Sequence, residues 1–283
     1  MTTQPVTTLS AALVQAVRDL RAAGVPDAAG DARVLLAHAA GILPDRLTLH
    51  LQEAASEATL AGFATLIARR AAREPVSHLV GGRLFWGRRF IVTPDVLDPR
   101  PETETLVAEA LAAPFARVLD LGTGSGAIAL SLLAERDAAE GLGVDLSAAA
   151  LTVAQRNADA LGLAGRCRFA QGSWFGPVDG HFDLIVSNPP YITQAELAGL
   201  SPEVRLFEPH LALTPGGDGL DAYRAIAAGV AAHLAPAGRL LLEIGPTQGV
   251  PVAQMLRDAG LDQVRVLPDL DGRDRVVAAV APA

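Results

Sequence analysis

An α/β fold, with a mostly parallel sheet of seven strands behind a small N-terminal helical domain, is predicted by three observations. Residues 117–280 alternate short apolar runs with amphipathic stretches, the pattern of strand–helix–strand units. The first of those runs ends in a glycine-rich turn, Gly122-Thr123-Gly124-Ser125-Gly126. Residues 9–70, by contrast, carry apolar positions only at helical spacing.

The first helix opens at Leu9-Ser10, carries Leu13, Val14, Val17 and Leu20, and stops at Gly24-Val25-Pro26. A second runs from Asp31 to Ala40 with Val34, Leu35 and Leu36 apolar, and Gly41 ends it. A third, longer helix covers residues 53–72, with Leu60, Phe63, Leu66 and Ile67 at helical spacing. These define a helical domain over residues 1–75, joined through Glu74-Pro75, which reads either as a substrate-recognition domain or as a packing appendage. Residues 76–100 read as a linker with a short β-hairpin, Arg83 to Trp86 against Arg89 to Val92. The sheet domain occupies 101–283 and opens with a helix at 102–112, whose acidic first turn suits the helix dipole. Its strands are expected at 117–121, 141–145, 166–170, 182–187, 238–244, 262–267 and 275–280.

Composition narrows the class. A length of 283 residues suits one small and one medium domain. The single cysteine, Cys167, makes no internal disulfide, reads as packing and fits a reducing compartment. Met1-Thr2-Thr3-Gln4-Pro5 lacks the charged start of a signal peptide, and no apolar run approaches the ~20 residues of a membrane span. The expectation is a soluble, cytoplasmic protein. All 23 basic residues are Arg, which beside so much Ala reads as a compositional bias. Residues 101–283 set 12 Arg against 22 carboxylates, a net charge of −10. Affinity for nucleic acid rests on cations that displace counterions, so no direct nucleic-acid binding is expected. Arg69, Arg70, Arg73, Arg83, Arg88 and Arg89 could face an acidic partner, but a solvated surface is the preferred reading. The six His are scattered without metal-ligand spacing, and no metal is expected.

Two segments carry chemistry. The strand 117–121 runs into the glycine turn and then a helical apolar pattern from Ala127 to Ala134. Glycines there adopt left-handed backbone and let a ligand approach closely. About twenty residues on, Gly143-Val144-Asp145 ends the next strand with a carboxylate able to accept both hydroxyls of a ribose. Gly122, Gly124 and Ala127 also satisfy the dinucleotide fingerprint of a Rossmann-like fold, so the turn alone leaves NAD open. Asp120, just before the turn, suits a cationic amino-acid end and repels a pyrophosphate.

The second segment is Asn188-Pro189-Pro190-Tyr191, directly after the strand Phe182 to Val186. It is suited to holding a planar amine. The Asn188 carboxamide oxygen accepts one N–H of a substrate NH2 group, and the Pro189 carbonyl accepts the other. Tyr191 then lies flat against the planar group and excludes water. With both hydrogens fixed, the nitrogen lone pair is aimed at an electrophile held in line, for which a sulfonium methyl group is the obvious candidate. Orientation of this kind contributes roughly 7–11 kcal/mol of barrier reduction when the geometry is right. Hydride transfer has no use for such a clamp. Gly122, Asp145, Ser173 and Asn188 all fall at carboxyl ends of strands, where ligands bind in parallel sheets.

The combination resembles the class I S-adenosylmethionine-dependent methyltransferases, and within them the release-factor glutamine methyltransferases. The match runs in order through Glu74-Pro75-Val76-Ser77-His78-Leu79, Phe85-Trp86-Gly87, Pro99-Arg100-Pro101-Glu102-Thr103-Glu104 and the glycine turn. It continues through Gln155-Arg156-Asn157-Ala158, Ser173-Trp174-Phe175, the Asn-Pro-Pro-Tyr box, Arg205-Leu206-Phe207-Glu208-Pro209, Gly217-Asp218-Gly219-Leu220 and Gly272-Arg273-Asp274-Arg275. The resemblance implies methyl transfer from S-adenosyl-L-methionine to the side-chain amide of the glutamine in the Gly-Gly-Gln loop of peptide-chain release factors. It implies that Gly122, Thr123, Gly124, Ser125 and Gly126 line the methionine part of the cofactor, Asp145 its ribose and Trp174 its adenine. Asn188 through Tyr191 grip the substrate amide, with Asn188 and Pro189 catalytic and Asn188 also touching the cofactor. A glutamine of a ribosomal protein, or the amine of adenine in DNA, uses the same clamp; the acidic sheet domain argues against DNA.

Two positions depart from the family pattern. Asp98 stands where an apolar residue is usual before Pro99-Arg100-Pro101, which bears on the geometry at Arg100. Pro246-Thr247 replaces the Tyr-Asp usual after Glu243-Ile244-Gly245. Phe85 is read either as packing over the substrate amide or as hairpin core, and Arg100 and Glu104 either as ordering the site or as capping the helix at 102–112.

Overall fold

The computed structural model describes residues 7–282 and divides the chain into two compact units. The reading of Met1 to Pro5 lies outside the described residues. The first unit comprises residues up to Gly82 together with Ser201–Phe207; the second holds Arg83–Leu200 and Glu208 onward.

The first unit is built from α1 (Leu9–Ala22), α2 (Ala28–Ala40), α3 (Leu47–His50), α4 (Glu57–Ala71) and α5 (Val76–Leu79). Side-chain caps start three of them: Thr8 accepts from the Ala11 amide, Asp27 from Gly30 and Ser56 from Thr59. Each cap satisfies an amide that the helix itself leaves unpaired. Leu20, Leu35, Leu36, Leu47 and Phe63 form its core. The short α3 and α5 went unforeseen, because a single turn gives no periodicity to detect. Arg70 was expected on a solvated face, yet it is only 6% exposed. Its guanidinium donates to Asp31 at 2.7 Å and to Glu203 at 2.9 Å, and Arg73 also reaches Glu203 at 2.7 Å. Glu203 comes from a segment some 130 residues further on, which no local pattern reveals.

The second unit opens with the hairpin β1 (Arg83–Phe85) and β2 (Arg88–Phe90). A 3-10 turn at Pro101–Thr103 leads into α6 (Glu104–Leu111), and then strands and helices alternate. They are β3 (Arg117–Leu121), α7 (Ala127–Ala134), β4 (Glu140–Asp145), α8 (Ala148–Ala160), β5 (Cys167–Gln171) and β6 (Phe182–Ser187). After α9 (Pro202–Phe207), which belongs to the first unit, come α10 (His210–Leu213), α11 (Asp221–Val230), β7 (Leu234–Glu243), α12 (Gly249–Asp258), β8 (Asp262–Pro268) and β9 (Asp274–Val280).

The seven expected sheet strands are present, in the order β5-β4-β3-β6-β7-β9-β8. Six run in one direction, and β9 runs against them, antiparallel to both β7 and β8. The central strands are near-continuous Val, Leu and Ile runs because helices cover both faces. Leu106, Ile128 and Leu132 pack on one face, and Tyr223, Ile226, Val252 and Leu256 on the other. Strand order reverses between β3 and β6, and a ligand crevice is expected beyond the carboxyl ends at such a point.

Candidate active site

The register places the two chemical segments side by side. Leu121 pairs with Ser187 at the ends of β3 and β6, so Gly122 and Asn188 leave neighbouring strands together. The Ser187 hydroxyl donates to the Leu121 carbonyl at 2.6 Å and ties the two exits. Parallel neighbours lie about 4.8 Å apart, so both turns open on one crevice.

The glycine turn is held from several sides. Gly122, Gly124 and Gly126 have φ of 71°, 55° and 79°, a left-handed region that side chains disfavour. The Gly122 and Thr123 amides donate to the Val144 carbonyl at 2.8 and 2.9 Å. Asp145 accepts from the Gly124 amide through one carboxylate oxygen and from the Ser147 amide through the other, both at 2.9 Å. Each oxygen retains a lone pair, so Asp145 can brace the turn and still accept from a ribose.

Asp120 departs from expectation. It is fully buried and is not part of the cavity wall; it accepts from the Thr123 hydroxyl at 2.7 Å and from the Ala129 amide at 3.3 Å. Burial pushes its carboxyl up to about 7 against those two hydrogen bonds. Through one oxygen it braces the turn from beneath, and its other oxygen is buried without a hydrogen-bond partner.

At the other exit, the Asn188 side-chain nitrogen donates to the Thr103 hydroxyl at 3.3 Å. Thr103 is buried, and so is Glu243, which ends β7, is 1% exposed and has its carboxyl pushed up to about 7 by burial. Gln248 secures the far end of the box by donating to the Tyr191 carbonyl at 3.0 Å, while its own oxygen takes the Gly245 amide at 3.0 Å. Arg100 pairs with buried Glu208, whose carboxyl burial raises, and Asp98 finds its own partner in Arg83 at 3.0 Å. The unusual Asp98 therefore leaves Arg100 undisturbed. Glu104 accepts from the Trp86 amide at 2.8 Å, and Trp86 itself sits at φ 47° in the hairpin turn. Both residues that left helix capping open thus order the surroundings of the site.

These elements enclose a cavity of about 320 Å³, within the usual range for small-molecule sites. Of the residues singled out in the sequence, Gly122, Thr123, Gly124, Ser125, Asp145, Trp174, Asn188 and Pro190 line it. Gly126, Pro189 and Tyr191 do not. Gly126 instead starts α7, and Pro189 is buried. Tyr191 lines a second recess with Ile192, Gly245 and Gln248, and burial pushes its phenol up to about 12. Phe85 and Pro190 are the rings beside Asn188 in the cavity's lining, where Tyr191 is absent. Phe85 lines the cavity and also packs edge-on against Phe90 with centroids 6.0 Å apart. Trp174 holds φ 48°, a conformation that costs a non-glycine residue about 1–3 kcal/mol and is concentrated at functional sites. Among the lining residues only Asp95, Arg100 and Asp145 are ionisable.

A backbone cradle, a carboxylate at a strand end and an indole beside it fit a cofactor carrying an amino-acid part, a ribose and a purine. Sequence reasoning assigned no role to Thr103, Glu243 or Asn157. Asn157, 1% exposed, donates to the carbonyls of Ser125 and Ile91 and accepts from the Ile91 amide at 2.7 Å. Its one local signal is an amide on the apolar face of α8, between Ala154 and Ala158. Among the described residues no cluster is arranged to hold a metal, and no helix is long and apolar enough to cross a membrane.

Residues 11–81 match the PrmC N-terminal domain, and residues 97–220 match the methyltransferase small domain. A release factor glutamine methyltransferase from Cereibacter sphaeroides is 62% identical over 272 residues, spanning 96% of this chain and 98% of that protein. One from Rhodospirillum rubrum is 48% identical, over 92% of this chain and 81% of that one. A solved methyltransferase from Pyrococcus furiosus shares the fold, with a TM-score of 0.56 at 17% identity, over 76% of this chain and 100% of that chain.

Proposed function

The chain belongs to the release factor glutamine methyltransferase family, and from that membership we propose that it methylates the side-chain amide nitrogen of the Gly-Gly-Gln glutamine in peptide-chain release factors. S-adenosyl-L-methionine is the methyl donor. The observation that carries this reading is the placement of Asn188 in the wall of the cavity that the glycine turn also lines, with its NH2 end engaged by Thr103. The carboxamide oxygen is the end left for a substrate.

The protein's part in the reaction is mostly orientation. In this reading the Asn188 oxygen accepts one N–H bond of the glutamine amide, and the carbonyl of Pro189, a residue outside the cavity wall here, accepts the other, which aims the nitrogen lone pair along one line. Gly122, Gly124 and Asp145, which line the same cavity, would hold the cofactor. The bound cofactor supplies a methyl carbon on a positively charged sulfur, so the leaving group is a neutral thioether. The amide nitrogen becomes acidic only as the new C–N bond forms, and its surplus proton passes to water. A strong base is not needed beforehand, in keeping with a wall whose ionisable residues are Asp95, Arg100 and Asp145.

The test offers radiolabelled cofactor and the enzyme a purified release factor. Parallel reactions contain the same factor with its Gly-Gly-Gln glutamine replaced, ribosomal proteins, and duplex DNA. Label on the intact factor alone, lost with the glutamine, is the expected result. Label on ribosomal protein or DNA instead would reassign the substrate.

A further inference from the structure

We propose that Gln248 is a positioning residue for methyl transfer: its carboxamide pins the Tyr191 carbonyl, and with it the far end of the Asn188-to-Tyr191 box, to two other loops beyond the sheet. The proposal rests on the function above and deepens it.

The box cannot hold itself. A strand is fixed to its neighbours through its amides, and Pro189 and Pro190 bring no N–H. The near end of the box is secured at Asn188, whose side chain donates to the Thr103 hydroxyl at 3.3 Å. The far end needs anchors of its own. The Ile192 amide supplies one by donating to the Leu213 carbonyl at 3.0 Å. Gln248 supplies the other by donating to the Tyr191 carbonyl, also at 3.0 Å.

The neighbours of Gln248 dictate which way its carboxamide points. Its oxygen takes the Gly245 amide at 3.0 Å, and a backbone N–H can only donate. The Tyr223 hydroxyl lies 3.3 Å from the same oxygen. The NH2 end is left for the Tyr191 carbonyl and, at 3.5 Å, for the Gly219 carbonyl, two groups that can only accept. One side chain, 9% exposed, thus joins the exits of β6 and β7 to the turn ahead of α11.

The space around it is built for the same purpose. A methyl on Gly219 would run into the Tyr191 carbonyl. One on Gly245 would meet the Gln248 oxygen at 3.0 Å and the Tyr191 ring at 3.4 Å. Two glycines therefore let three loops close on one carboxamide. This gives Gly217-Asp218-Gly219-Leu220, singled out in the sequence, a place in the support of the site. Pro246-Thr247, the departure from the family pattern, leaves the join intact, because the Gln248 amide still closes the turn onto the Gly245 carbonyl at 3.0 Å.

The rings of Pro189 and Pro190 fix φ, so a shift at Tyr191 is passed along the box rather than absorbed within it. Methyl transfer depends on the line from the amide nitrogen to the methyl carbon, and a misplacement of about 1 Å can cost a hundredfold in rate. Loss of the Gln248 hold should therefore appear in kcat and not in binding.

The experiment measures kcat and KM for methylation of a release factor, with cofactor affinity and the fraction of binding-competent enzyme read by calorimetry. Gln248→Glu keeps the length and the acceptor for Gly245, but sets a carboxylate against two carbonyls. Gln248→Met keeps roughly the volume and makes neither hydrogen bond. Both are expected to lower kcat per competent enzyme by roughly ten- to a hundredfold, with KM and cofactor affinity within about twofold of wild type. Wild-type kcat in a folded variant would overturn the proposal, even with a lowered melting temperature. So would loss of cofactor affinity in step with kcat, which marks a general packing role. If Gln248→Met does not fold, Gln248→Glu decides. Methylation of a ribosomal protein in place of the release factor would strike the substrate reading alone, and the same variants then decide the role of Gln248 on that protein.

Discussion

The turn after β3 and the box after β6 leave adjacent parallel strands at paired positions, yet they are fixed by different means. Residues 122–126 are shaped largely from nearby chain: three left-handed glycines, the Val144 carbonyl, Asp120 below and Asp145 beside them. The box at 188–191 contributes one carboxamide, two rings without N–H and a carbonyl. Its aim depends on Thr103 and Gln248, which lie 85 and 57 residues from their partners in sequence. One end of the cavity is thus made of backbone and the other of a side chain held by remote partners. The first should tolerate loss of distant residues and fail on small local changes. The second should fail when its oxygen or its supports are removed, with cofactor binding intact.

Removing the carboxamide gives the largest separation between the two ends. Asn188→Ala is expected to lower kcat by about 10²–10³-fold, the range for deleting one pre-aimed polar group at a reacting centre. Cofactor affinity should stay close to wild type, since the glycine turn and Asp145 are untouched. Single-turnover labelling and calorimetry on the same preparation check both. A mutant that turns over at near wild-type rate, or that loses cofactor in step with activity, would dissolve the division between the ends.

The comparison also explains what the sequence made readable. The glycine turn announces itself because the conformations it needs are ones that glycine alone adopts readily, and the residues lie within five positions of each other. The central strands were readable because both sheet faces are covered there and the runs are apolar, while the partly exposed edge strands β5 and β8 mix in polar residues. Their order was inferred only as far as a parallel sheet, since the antiparallel placing of β9 between β7 and β8 leaves no local mark. Asn188 was readable through its flanking prolines. Tyr191 was assigned a wall position that it does not hold, because a motif gives chemistry but not the direction in which a ring points. Arg70 was mistaken for surface for a related reason: its partner Glu203 is remote in sequence.

A second test sharpens the account of the backbone end through pH. Asp120 has its carboxyl raised by burial from 3.8 to about 7, so the folded state holds its proton more tightly than the unfolded chain does. The favourable contribution is full below the unfolded value and is lost as pH rises through about 7. Asp120→Asn carries no such titration. Stability of the variant relative to wild type should therefore improve between pH 4 and about 7, by at most a few kcal/mol, as read from denaturant curves at several pH values. A difference that stays flat across that window would mean that Asp120 remains ionised beneath the turn, and the brace would then be a charge rather than a neutral acid.

The smallest expected effects separate two glycines of the same turn. A methyl added at Gly126 would meet the Leu130 Cδ1 at 2.9 Å, while one at Gly124 finds nothing within 4 Å. Both have positive φ, so each alanine costs about 1–2 kcal/mol of backbone strain. Gly126→Ala should add the displacement of Leu130 and lower the melting temperature further. Gly124, unlike Gly126, lines the cavity, so its new methyl occupies space the cofactor needs. Gly124→Ala should therefore be the more stable variant and the weaker cofactor binder, whereas Gly126→Ala should rank the other way. If both variants lose stability and affinity in the same proportion, the turn acts as one rigid unit, and its strain and its contact with the cofactor are not separable by position.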